Sequence, residues 1–263
     1  MNDPFPSVAE SSATGETAHL FADIRGTIGV RVVNLVWRHL ATLDGALPWA
    51  WHAVKPLYLS GLPDEAARRF RETMALPKLA TLTGDQPATV DAVLASYDHS
   101  NTINLFALGA LAAWLRGEAT KGVVPAAGPR LSAPDVTLPH LASEADVSAE
   151  TWALVLRLNR FGDARQLILA SMYRHLAHAP AFLGELETRL KAVQADGSLD
   201  RAIDANRAAA HAAARNLAGA IAAEPPVAAD QIETGVSAFV DHAIGKMVTI
   251  CRAIRVARGN GDL

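Results

Sequence analysis

The sequence predicts an all-α protein made of two tandem, diverged helical repeats packed around a central cleft. Three observations carry this. Apolar residues recur at helical spacing along most of the chain, strand-like alternation is almost absent, and a block of the first half returns in the second. The composition agrees: half of the 263 residues are hydrophobic, yet only 6% are aromatic. That balance favours Ala- and Leu-rich helices over β-branched or aromatic strands.

The returning block is Arg38-His39-Leu40-Ala41, which reappears as Arg174-His175-Leu176-Ala177, 136 residues later. The same register pairs Trp37 with Tyr173, Leu47 with Leu183, Lys55 with Lys191, Asp64 with Asp200 and Ala66 with Ala202. Asp98-His99 then matches Asp241-His242 at an offset of 143, so about seven residues are inserted between the two matches.

In chain order, residues 1–17 are rich in Ser, Thr, Pro and acids and are expected to form a disordered lead-in. Residues 18–117 form repeat one. Leu20, Ile24 and Ile28 recur every fourth residue, and Val33, Trp37 and Leu40 follow the same rule. Pro48 and Pro63 suit first helical turns, and Gly45 and Gly61 suit helix ends. A long helix from about Thr89 to Gly117 carries the stripe Leu94, Tyr97, Asn101, Leu105, Leu108, Ala112, Leu115. Residues 118–146 contain Pro125, Gly128, Pro129, Pro134 and Pro139 and read as a surface linker. Residues 147–258 form repeat two. Each repeat should hold four or five helices and no sheet.

Bulk properties exclude several function classes. A net charge of −3, with no basic run interleaved with aromatics, argues against a nucleic-acid partner. No stretch reaches the ~18–20 apolar residues of a membrane span, and the N-terminus lacks a signal-peptide pattern. Cys251 is the single cysteine, which excludes an internal disulfide, a Cys-rich zinc site and the cysteine-pair chemistry of alkylhydroperoxidase-type bundles. It suits a reducing, cytoplasmic setting. Phosphate-loop, nucleophile-elbow and HExxH motifs are absent, so motifs alone name no reaction. Homodimerisation would suit such a fold, but no sequence feature demands it.

Asn101 is the most informative residue, a polar amide at the centre of an apolar stripe. Leaving it buried without a partner costs roughly 1–3 kcal/mol, so it either bonds a neighbour or faces a polar cavity. The repeat register puts apolar Ile244 at the matching place. The Asp-His pairs say less. His99 lies about 160° around the wheel from Asn101, so Asp98, His99, Asp241 and His242 are expected on solvated helix surface rather than around two metals. His175 and His178 share a face, but no acid nearby completes a metal set. Asp163 and Arg165 suit a helix start, and Trp37, Trp49, Trp51 and Trp114 suit a core. No metal and no cofactor are expected.

The run Asp23-Ile24-Arg25-Gly26-Thr27-Ile28-Gly29-Val30, then Arg38-x-Leu40-Ala41-Thr42, then Leu47-Pro48-x-Ala50-Trp51, resembles the group I 2-haloacid dehalogenases, all-α enzymes of two tandem repeats. The resemblance implies direct hydrolysis of a small organic acid. An aspartate activates a water, an asparagine helps to hold it, and halide leaves Cα of a 2-haloalkanoate without a covalent intermediate or a cofactor. It places Asn101 on the family's asparagine, Ser171 on a site serine, and Val32, Leu35 and Phe239 on wall positions. The catalytic aspartate falls on Met172. A thioether takes no proton from water at neutral pH, and Met172 also fits an apolar stripe with Leu169 and Leu176. The nearest acid in that segment, Asp163, lies nine residues earlier, about 13 Å along a continuous helix. The expectation is therefore weak or absent dehalogenation, the alternative being a non-catalytic protein that binds a small acid. Candidate cations for a bound carboxylate are Arg38, Arg174 and Lys246, the first two related by the repeat.

Overall fold

The computed structural model describes residues 5–123, 125–163 and 168–260, and no strand occurs among them. Five helices come first: α1 (Gly15–Ile28), α2 (Leu35–Leu40), α3 (Ala46–Ser60), α4 (Leu62–Thr73) and α5 (Pro87–Leu115). After a stretch of mostly irregular chain come α6 (Ala149–Leu158), α7 (Ser171–Leu176), α8 (Pro180–Ala195), α9 (Ser198–Ala218) and α10 (Ala229–Ser237). A π-helical turn, Ala238–Ile244, then runs straight into α11 (Gly245–Ala257). The short helices α2 and α7 have six residues each and start 136 residues apart, at 35 and 171.

Local chemistry sets these ends. Gly61 closes α3 and opens α4 with φ of 75°, in the left-handed region. A side chain there would also run into the Gly128 carbonyl of the irregular segment. Ser148 caps α6 by accepting from the Thr151 N–H at 3.2 Å. Pro63 and Pro87 sit in first turns, where a missing N–H costs nothing.

Helix α5 organises the molecule. It has 29 residues, about 43 Å at 1.5 Å per residue, and every residue from Asp98 to Ala113 is buried. Helices α9, α10 and α11 pack on it from the second half, α3 and α4 from the first. Small side chains let α9 come close, since a Cβ on Gly109 would lie 3.1 Å from that of Ala214. One apolar cluster, around Trp37, Trp51, Phe106 and Leu108, fills the first half and reaches Val240. A second, around Leu94, Tyr173, Leu186 and Ile254, fills the other side. Trp37 and Trp51 are buried edge to face at 5.4 Å, while Trp49 and Trp114 pack together at the margin.

Two expectations are corrected here. Part of the lead-in expected to be disordered is docked. Phe5 lies against the His39 and Phe239 rings, Val8 exchanges backbone and side-chain hydrogen bonds with Arg38, and Glu10 binds Arg25 and the Val33 N–H. Two apolar side chains and one well-placed acid outweigh the polar composition around them. The α5 Asp-His pair is also not solvated. Asp98 is 2% exposed, with Arg255 at 2.6 Å and Arg71 and Arg252 each at 3.5 Å. His99 is buried against the Ile28 carbonyl at 3.0 Å. A helix enclosed on all sides has no solvated face to offer either residue.

Three guanidinium groups around one buried carboxylate make Asp98 a keystone between α4, α5 and α11. Removing one partner of a buried ionic cluster typically costs ~3–5 kcal/mol. Asp98→Asn should lower unfolding free energy by about that much in urea at neutral pH. An unchanged midpoint would contradict this account.

Candidate functional site

Pro87 opens α5, and the stripe from Leu94 to Leu115 buries it, so Asn101 is carried near its middle. A cavity of about 60 Å³, room for a few waters or a small organic molecule, lies beside this point. Its walls come from residues 32–36 at the start of α2, Ser96 to Asn101 on α5, residues 168–172 at the start of α7, and the π-helical turn with Met247. Val32, Leu35, Asn101, Ser171, Met172 and Phe239 all line it. Ile244 lines it too, so the amide and the branched chain paired by the sequence register face one space.

The described wall carries no ionisable acid, lysine, arginine or histidine. Its polar side chains are Asn34, Ser96, Tyr97, Ser100, Asn101 and Ser171. Asn101 is 7% exposed and its side chain makes no hydrogen bond among the described residues. Asn34 donates to the Ser100 hydroxyl at 3.3 Å, and its own Oδ1 is buried without a partner. Met172 is buried and packs in the second apolar cluster together with Leu176.

The candidate cations lie behind the wall. Arg38 donates to the Val8 carbonyl and Arg174 to the Ala142 carbonyl, each fixing irregular chain ahead of its half, and both are close enough to act on Tyr97 electrostatically. Lys246 is fully buried and donates to the Asn159 carbonyl at 2.5 Å. Burial lowers its pKa to about 8, against the opposing pull of Asp163. Asp163 is bound to His242 at 2.8 Å; Arg165 and the residues that would carry a helix starting at Asp163 lie outside the described residues. The other histidines are apart: His178 meets the His140 carbonyl, and His211 meets Asp241 at 2.7 Å. Among the described residues no three His, Cys, Asp or Glu side chains converge as a metal set would.

No family model matches the chain, and no curated protein does. Solved structures do. One described as a complex of a D-2-haloacid dehalogenase mutant with D-2-CPA superposes with a TM-score of 0.75 at 15% identity, covering 99% of this chain and 97% of that one. A D-2-haloacid dehalogenase mutant gives 0.74, and a complex of the enzyme with L-LA gives 0.72. Both are 17% identical, with 97% of each chain covered. This chain has the same all-α fold.

Sequence reasoning missed two groups at the site. The first is Asn159, whose side chain donates to the Ile168 carbonyl at 3.1 Å and accepts from the Ala170 N–H at 3.0 Å, so it holds the wall segment that ends in Ser171 and Met172. The second is a polar chain behind the wall. Tyr97 lines the cavity, and its hydroxyl lies 2.8 Å from His175 Nδ1. The available signal was spacing: Tyr97 is one helical turn before Asn101, and His175 one turn after Ser171.

His175 is 1% exposed, and burial lowers its pKa to about 4, helped by Arg174, His178 and His140. The folded value lies below the ordinary 6.5, so between about pH 6.5 and 4 the unfolded chain binds more protons. Stability is therefore lost as pH falls through that window, by roughly 3 kcal/mol for a shift of this size. Urea unfolding at pH 7 and pH 4.5 should show a smaller acid loss for His175→Gln than for wild type; equal losses would refute the assignment.

Proposed function

We propose that this chain is a dehalogenase-like hydrolase whose pocket takes a short 2-substituted carboxylate such as a 2-haloalkanoate. Water attacks Cα directly, Asn101 helps to hold that water, and halide leaves with the bonding electrons. Val32, Leu35 and Phe239 form the apolar wall around the substituent, and Ser171 lies beside Met172. No cofactor takes part. Within this reading the chain is two diverged copies, residues 18–117 and 147–258, joined by 118–146.

The observation that supports it is convergence. Six residues assigned from resemblance, spread from Val32 to Phe239, line one small cavity. The Asn101 side chain has no hydrogen-bond partner among the described residues, which suits a residue meant for water or ligand. Met172 sets the rate. A positioned general base typically contributes ~10²- to 10⁴-fold, so turnover should be slow. One observation favours a second reading, a non-catalytic small-acid binder: the described wall contains no charged group able to take a proton directly.

Halide release from racemic 2-chloropropionate and 2-bromopropionate tests both. Wild type should be slow, Asn101→Ala slower still, and Met172→Asp faster by ~10²-fold or more. Fast turnover by wild type would overturn the role given to Met172. Binding of 2-chloropropionate by wild type without release, even from Met172→Asp, would favour the binder.

A further inference from the structure

Beside Met172 the cavity has a route for a proton that uses no carboxylate. Ser171 is the first residue of α7 and lines the cavity, as does Tyr97 of α5. The Tyr97 hydroxyl lies 2.8 Å from Nδ1 of His175, which sits one turn along α7 from Ser171. His175 Nε2 is buried with no partner, so Tyr97 is the one hydrogen-bonding contact of this ring among the described residues. That is unusual: an unmet ring nitrogen in the interior costs ~1–3 kcal/mol. It is tolerated here in a side chain whose other nitrogen points along the route to the cavity.

We propose that Tyr97 and His175 form a proton relay that stands in for the missing general base, with His175 as the terminal acceptor. This rests on the reading of the cavity as a site of haloacid hydrolysis. As the water oxygen bonds to Cα and the carbon–halogen bond breaks, halide takes the electron pair. The water's proton passes to Tyr97 Oη as the Tyr97 proton passes to His175 Nδ1. A 2-hydroxy acid, halide and an imidazolium result, and the imidazolium resets by returning its proton through Tyr97 to water in the emptied cavity.

The charges around the relay are consistent with this role. His175 faces Tyr97 from α5, Arg174 on its own helix, His178 just beyond that helix, and His140 from the irregular segment. Tyr97 feels Arg174, Arg38 from α2 and the buried Cys251 of α11. With no acid named among these groups, the ring is neutral at pH 7 and ready to accept. Its pKa of about 4 is close to that of an ordinary carboxylate, so as a base it matches the aspartate it replaces. Tyr97, whose own pKa is raised by burial, passes the proton on without resting as phenolate.

The test is epistasis. Tyr97→Phe and His175→Asn are each made in wild type and in Met172→Asp, and halide release from 2-bromopropionate is followed. In wild type each should lose ~100-fold or more in kcat with KM within about threefold. In Met172→Asp, where a carboxylate meets the water directly, the same changes should lose less than about tenfold. Equal losses in both backgrounds would make the pair structural and overturn the relay while leaving the hydrolase reading intact. Full activity of Tyr97→Phe in wild type would do the same. Silence from wild type and Met172→Asp alike would overturn the haloacid reading, and the relay with it. If His175→Asn fails to fold, Tyr97→Phe carries the comparison, since it keeps the ring and removes only the hydroxyl.

Discussion

A helix with sixteen consecutive buried residues must find a partner for every polar group it carries, and this requirement on α5 governs the rest of the structure. The run from Asp98 to Asn104 is the demanding part. Asp98 is met by arginines from α4 and α11, His99 by a carbonyl of α1, Ser100 by Asn34, Thr102 by the α5 backbone, and Asn104 by Tyr58 at 2.5 Å. Apart from the Thr102 bond, each fixes a neighbouring segment against α5. Asn101 is the member of that run whose side chain lines the cavity and makes no hydrogen bond among the described residues.

That account explains why a site with so little charge sits in a protein with so many arginines. Arg71, Arg252 and Arg255 surround Asp98, while Arg38 and Arg174 hold irregular backbone. A bound carboxylate would meet mainly hydroxyls and amides, whose hydrogen bonds are individually weaker than those from a cation. Under the proposed function such a wall would select by shape and by hydrogen-bond geometry more than by charge, and the cavity volume would keep the ligand small.

Much of the fold was legible in the sequence. The stripe from Leu94 to Leu115 placed α5 within about two residues of its observed ends, because periodicity over many turns is a strong signal. Asn101 was legible for the same reason, as an exception within a regular pattern. Asp98 and His99 were misread because a helical wheel gives angles, and angles say nothing of how many sides are covered. Phe5, Val8 and Glu10 were hidden by their neighbours' composition. Tyr97 and His175 lie 78 residues apart, so no local pattern announces their bond. Asn159 clamps a segment about ten residues downstream through backbone atoms, a relationship that side-chain identity does not encode.

The π-helical turn from Ala238 to Ile244 bears on how this cavity changes over evolutionary time. Such a turn holds one residue more than the α-helical path it interrupts, and it carries Phe239, Ala243 and Ile244 into the cavity wall. Gly245 lets the widened turn close, since a side chain there would meet the Val240 carbonyl at 2.7 Å. Deleting one residue would restore a regular helix, leave the flanking turns in register and withdraw the side chains that the bulge itself presents. The apolar wall can therefore be reshaped in a single insertion or deletion, whereas the face across from it, built on the unbroken α5, can be altered only one side chain at a time.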